Sequence, residues 1–175
     1  MYLHLELKRV PAARQQDAID RLNLLHGLMH ASPGFIDAQI AHDIADPAFY
    51  VVLRRWSDAA AHAGYRASDA SKEFGKQRPE GLYENLLVQE WDCAHQTPGT
   101  AASPLVARTV YATGQTPAQA TAPATETFTA LSGSPAGETL RLAGFANRPA
   151  AEAYRRSATP AAQTVDCYEV VARTG

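Results

Sequence analysis

His26 stands on the apolar stripe of a stretch rich in helix formers, residues 12–31, where Ile19, Leu22, Leu25 and Met29 recur at helical spacing. At about 100° per residue it projects between Ile19 and Leu22, and His30 lies one turn on. An imidazole on such a face serves as a general base, as an iron ligand, or as a buried histidine hydrogen-bonded to a carbonyl. His30 either joins it or frays into solvent at the helix end. The pair lacks the Glu of an H-E-x-x-H zinc helix, so no metal site is read from it.

A second group lies on strands. His4 and Glu6 alternate onto one face of the opening strand, with Lys8 beyond. Asp37 and Gln39 on a second strand, and Arg54 or Arg55 on a third, are placed to join them. Such groups would orient a substrate carbonyl or phenol in a mostly apolar pocket. They would equally suit a solvated sheet face or a salt-bridge layer between two units. Trp56, Tyr65, Tyr83 and Trp91 come from elements that should converge, either as walls for a flat ligand or as core. His62 sits in an Ala-rich helix and reads as exposed. No nucleophile motif, Gly-rich phosphate loop or metal-ligand cluster is apparent.

The elements that must position these residues follow from periodicity. Residues 2–10 alternate strictly, with Leu3, Leu5 and Leu7 on one face, until Pro11. Ser32-Pro33-Gly34 stops the helix. Residues 35–44 and 49–56 form a hairpin across Ala45-Asp46-Pro47. Ser57-Asp58 offers an N-cap for a helix that restarts at Ser68-Asp69, and residues 83–92 make a fourth strand. The order β-α-β-β-α-β is the ferredoxin-like pattern. Residues 94–104 read as a linker. Beyond it come a strand over 105–112, a helix entered at Thr116-Pro117-Ala118-Gln119 that either kinks at Pro123 or starts after it, a strand over 138–146, a helix capped by Asn147 and a strand over 164–173.

A net charge of −2 and a pI near 6.3 leave no electrostatic footprint for nucleic acid. Cys93 and Cys167 form no framework and read as free thiols in a reducing compartment. The chain opens on a strand rather than a signal peptide and has no membrane-spanning apolar run, so a cytoplasmic location is expected.

Trp56-Ser57-Asp58 falls over Phe145-Ala146-Asn147, and without a gap Tyr65-Arg66-Ala67-Ser68 falls over Tyr154-Arg155-Arg156-Ser157. Ser32-Pro33-Gly34 also resembles Ser134-Pro135-Ala136-Gly137, and Leu82-Tyr83-Glu84 resembles Cys167-Tyr168-Glu169. The reading is two tandem units: residues 1–93 complete, residues 105–175 degenerate and short of most of the strand equivalent to 35–44.

The stretch from Ser32-Pro33-Gly34-Phe35 through Trp56-Ser57-Asp58 and Tyr65-Arg66-Ala67-Ser68 to Glu90-Trp91 resembles the antibiotic-biosynthesis-monooxygenase-like group of dimeric α+β barrels. The resemblance implies a pair of ferredoxin-like units closing a barrel, here as an intrachain pseudo-dimer, and allows a further homodimer of tandem chains. It implies a ligand cavity between helices and sheet, and an oxygenase acting on a small aromatic, quinol-type or polyketide substrate with no cofactor required. His26, Glu6 and His4 are then the catalytic candidates. His30, Gln39, Arg55, Trp56, Tyr65 and Trp91 are the ligand-binding ones. Haem-degrading members of the group carry a histidine after an S-D-x-x-K-E run. Here Ser68-Asp69-Ala70-Ser71-Lys72-Glu73 leads to Gly75, Tyr65 replaces their tryptophan, and Leu7 or Lys8 their asparagine. The alternatives are haem binding through a non-standard ligand such as His26 or His30, and a non-catalytic ligand-binding or structural module.

Overall fold

The computed structural model describes residues 1–96, 102–113, 115, 124–132, 135–158, 162 and 164–175. Strand β1, Tyr2–Arg9, ends before Pro11, and a 3-10 turn over Ala12–Arg14 leads into helix α1, Gln15–His30. The fully buried stripe of α1 is Ala18, Leu22, His26 and Met29. Ile19 and Leu25 flank it, so the stripe is rotated toward His26.

Gly34 follows at φ 81°, and a Cβ there would stand 2.5 Å from the Ala61 Cβ and 2.6 Å from the Ser57 Oγ. Glycine is required on both counts. The turn pins the start of strand β2, Phe35–Asp43, against the exit of strand β3, Phe49–Trp56, through the Ser57 N–H donating to the Gly34 carbonyl at 2.7 Å. Asp58 caps helix α2, Ala59–Ala67, and Ser68 caps helix α3, Asp69–Lys76. Each side-chain oxygen accepts an otherwise unpaired backbone N–H of the first turn. Strand β4 runs over Glu84–Gln96. Residues 94–96 therefore extend a strand instead of opening a linker, and 97–101 lie outside the described residues.

The second half contributes strand β5, Leu105–Tyr111, strand β6, Ala124–Ser132, strand β7, Thr139–Phe145, helix α4, Arg148–Ala158, and strand β8, Thr164–Thr174. Of the helix expected from Thr116, kinked at Pro123 or starting after it, residues 116–123 lie outside the described residues, and from Ala124 on the expectation is corrected: Thr125, Thr127, Phe128 and Thr129 favour extended backbone and the chain is strand β6. The second half thus has four strands where the sequence reading leaves three. Two of the sequence matches fail with it. Ser32-Pro33-Gly34 precedes β2, whereas the turn at Pro135–Gly137 joins β6 to β7. Leu82-Tyr83-Glu84 leads into β4, whereas Cys167-Tyr168-Glu169 lies within β8.

The ferredoxin-like α+β strands form one closed eight-stranded barrel, in the order β1-β3-β2-β8-β5-β7-β6-β4. From β4 the circle reads β4-β1-β3-β2, then β8-β5-β7-β6: fourth, first, third, second, twice over. The seams are β2 on β8 and β4 on β6, both antiparallel. Closure leaves no sheet edge unpaired. Leu3, Leu5 and Leu7 pack inside it with Trp91, Val106, Phe128, Leu140 and Tyr168. The helices lie outside, α4 over Ala107, Ala143 and Cys167. Cys93 and Cys167 are not disulfide-bonded. No helix among the described residues is long and apolar enough to cross a membrane.

Candidate functional site

Period-two alternation sends Leu3, Leu5 and Leu7 into the barrel and His4, Glu6 and Lys8 toward the helices. A cavity of about 490 Å³ opens there between the sheet of the first half and α1–α3. His4, Glu6 and Arg54 face it from the strands, and Leu25, Met29, Tyr65 and Phe74 from the helices. Arg21, Arg66 and Arg78 also border it, so its lining carries more positive than negative charge.

Glu6 organises the strand side. One oxygen lies 3.2 Å from His4 Nε2; the other pairs with Lys8 Nζ and Arg54 Nη1, each at 2.9 Å. Burial would raise the Glu6 pKa, but Arg54, His4 and Lys8 overcome it and hold the carboxyl well below its usual range. Burial pushes Lys8 down, against the pull of Glu6. Lys8 also donates to Asn85 Oδ1 at 2.5 Å and sits 4.2 Å from the Tyr83 ring centre.

Arg54 reaches the other way as well, its Nε donating to His26 Nε2 at 3.1 Å. That nitrogen must therefore accept, and the neutral ring carries its proton on Nδ1. Burial first, then the Arg54 charge, pushes the His26 pKa down to about 3. His26 is fully buried and does not border the cavity. It touches the cavity wall through Arg54. His30 is exposed at the end of α1, edge-on to Phe35. Neither histidine proposed for haem iron thus reaches the cavity, and the lining does not match the haem-degrading pattern.

Arg55 and Gln39 are on the opposite face from the one expected. Neighbours on a strand point to opposite sides, so Arg54 joins Glu6 while Arg55 enters the barrel. There its guanidinium pairs with Glu126 of β6 at 2.7 Å and Asp37 at 2.7 Å, and donates to Gln39 Oε1 at 2.9 Å. The salt-bridge layer between halves, weighed above for this group, describes these residues. Arg108 makes a second such link, donating to Gln89 at 3.2 Å and pairing with Asp166 at 3.0 Å. Trp91 is barrel core, and Trp56 sits behind Tyr65 with ring centroids 5.6 Å apart. Of the four aromatics singled out, Tyr65 and Tyr83 reach the cavity.

His62 is buried, not exposed. Its ring lies 4.6 Å from His4 and 5.5 Å from Trp56, centre to centre. Burial, then His4, pushes its pKa down to about 4. The signal was present: His62 and Tyr65 are spaced i, i+3 and form the buried side of α2. Glu90 of β4 was not singled out either. Its carboxylate and the two imidazoles of His4 and His62 bring ligand atoms within 4.8 Å of one another.

Residues 1–77 match the family model for antibiotic biosynthesis monooxygenase. The match covers the first 77 of the chain's 175 residues and makes that stretch similar to the family. No curated protein matches the sequence closely enough to lend it an activity. A proposed monooxygenase of Fusobacterium nucleatum superposes with a TM-score of 0.69 at 11% identity, over 99% of this chain and 94% of its own. An anthrone oxidase-like protein gives 0.64 at 14% identity, over 99% and 92%. SnoaB, a cofactor-independent oxygenase from Streptomyces nogalater, gives 0.50 at 13% identity and covers 56% of this chain with 97% of its own. At these identities the likeness is one of fold.

Proposed function

We propose that the chain is a monooxygenase acting on a small aromatic, quinol-type or polyketide substrate in the helix–sheet cavity of its first half. The observation that carries this reading is the chain His4–Glu6–Arg54–His26 beneath a 490 Å³ cavity with partly aromatic walls. His4 is the proton acceptor. Glu6 fixes its ring and stabilises the imidazolium formed, and Arg54, set by His26, fixes Glu6. The cationic rim of Arg21, Arg66 and Arg78 favours a substrate that becomes a phenolate or enolate. Such an anion is electron-rich enough to reduce dioxygen itself. A CH₂ between aromatic rings and O₂ become C=O and H₂O, with both electrons for the second oxygen atom drawn from the substrate. This route requires no cofactor. The names of the anthrone oxidase-like protein and of SnoaB accord with it.

The second half, in this reading, is a tandem copy that acts as a built-in partner. The doubled strand order supports it, as does SnoaB, which matches about half of the chain. So does the register: Tyr2↔Trp56 and His4↔Arg54 in the first half stand where Leu105↔Phe145 and Ala107↔Ala143 stand in the second. On that correspondence Glu6 becomes Thr109, and the polar chain is gone. One site per chain follows. Because the barrel closes within one chain, a second chain is not needed to seal its edges.

Oxygen uptake with a panel of hydroquinones and anthrones tests the proposal. Turnover that falls to background in His4→Ala is expected; no turnover above that variant on any substrate would sink it.

A further inference from the structure

We propose that His4, His62 and Glu90 form a binding site for one divalent first-row transition ion on the wall of the cavity. The inference rests on the cluster itself and not on the oxygenase reading.

The three ligand atoms lie within 4.8 Å of one another. Around an ion with bonds of about 2.1 Å, adjacent ligand atoms are roughly 3.0–3.4 Å apart, so side-chain adjustments of an ångström or so close the site. Each ligand comes from a different element: His4 from β1, His62 from α2, Glu90 from β4. The register seats Glu90 directly opposite His4.

Hydrogen bonding decides which His4 nitrogen is available. Glu6, ionised between Arg54 and Lys8, can only accept, so His4 Nε2 carries the proton it shares with Glu6 at 3.2 Å. His4 Nδ1 then presents a lone pair. It is buried and has no hydrogen-bond partner among the described residues, in a side chain 5% exposed. A ligating imidazole whose other N–H is held by a carboxylate is the usual second layer of a metal site. Glu90 has a comparable support, a hydrogen bond from the Tyr2 hydroxyl. His62 is held by its rings' contacts with Tyr2, His4 and Trp56.

Two imidazoles and a carboxylate suit Zn²⁺, Fe²⁺ or Co²⁺ and not the all-oxygen preference of Ca²⁺ or Mg²⁺. Three protein ligands leave positions open, and His4 and His62 both border the cavity. The second half cannot repeat the site. Ala107 stands for His4, Cys167 opposite it for Glu90, and Ala151, six residues past Phe145 as His62 is past Trp56, for His62. One ion per chain is therefore expected. Because a coordinated Nδ1 cannot take a proton, the loaded protein would also lose His4 as a base.

The test uses intact protein stripped with chelator, titrated with Zn²⁺ by calorimetry and with Co²⁺ by visible absorbance, and compared with His62→Ala and Glu90→Gln after a circular-dichroism check of folding. Saturation at one ion per chain, weakened by about tenfold or more in each folded variant, is expected. No saturable binding, or wild-type affinity in both variants, would overturn the proposal. Anomalous diffraction from Co²⁺-loaded wild-type crystals locates the ion without any variant; an ion bound elsewhere overturns it as well.

Discussion

Arg54 donates through Nε to His26 Nε2 across 3.1 Å, joining two residues of opposite elements that the sequence separates by 28 positions. The contact needs a neutral imidazole. Burial and Arg54 push the folded pKa to about 3, against an ordinary 6.5. Between these values the unfolded chain binds the proton and the folded chain does not. The contribution is complete above pH 6.5 and is lost as pH falls toward 3, at up to about 1.4 kcal/mol per pH unit. In His26→Gln the amide oxygen still accepts from Arg54, so stability at pH 7 should fall by only about 1 kcal/mol. Its stability between pH 7 and 5 should fall less steeply than that of wild type. Urea unfolding across that range checks it, and parallel profiles would contradict the assignment.

Glu6→Gln removes the counter-charge shared by Lys8 and Arg54, both buried. Leaving two cations unpaired should cost about 3–5 kcal/mol in urea unfolding. Turnover should fall as well, because His4 loses the carboxylate that fixes its ring. A variant as stable as wild type would show that the pairing carries no such weight.

Arg55→Met separates structure from function. Arg55 faces the barrel interior and ties β3 to Glu126 of β6, so its loss should destabilise by about 3–5 kcal/mol. Substrate affinity and turnover of the folded fraction should stay near wild type, since Arg55 does not border the cavity. Arg55→Met with Glu126→Leu should regain part of the stability, as the fully buried Glu126 carboxylate is no longer stranded and the Asp37 carboxylate, 19% exposed, keeps contact with water. Steady-state kinetics beside unfolding midpoints distinguish this from a ligand-binding role.

Much of the first half was legible because local signals agree there. Leu3, Leu5 and Leu7 alternate, Asp58 and Ser68 cap, and Gly34 stands where the backbone demands it. What alternation cannot assign is which face sees the helices, since both faces of this sheet are covered. Arg54 and Arg55 are thus interchangeable in the sequence and lie on opposite faces of the sheet. The site itself depends on register. His4 meets Arg54 and Glu90 only because β1 pairs with both β3 and β4 at those positions, and such non-local pairing leaves no trace in either segment. Strand β6 is hidden in the sequence because the two Ser-Pro turns look alike but occupy different places in the strand order.

The most direct measurement is oxygen incorporation. Stripped protein is given an anthrone or hydroquinone that supports uptake, under isotopically labelled dioxygen, and the product is weighed by mass spectrometry. The account predicts one labelled oxygen atom in the product and the other in water with wild type, and no labelled product above background with His4→Ala. Unlabelled product from wild type, or equal labelling in both proteins, would contradict it.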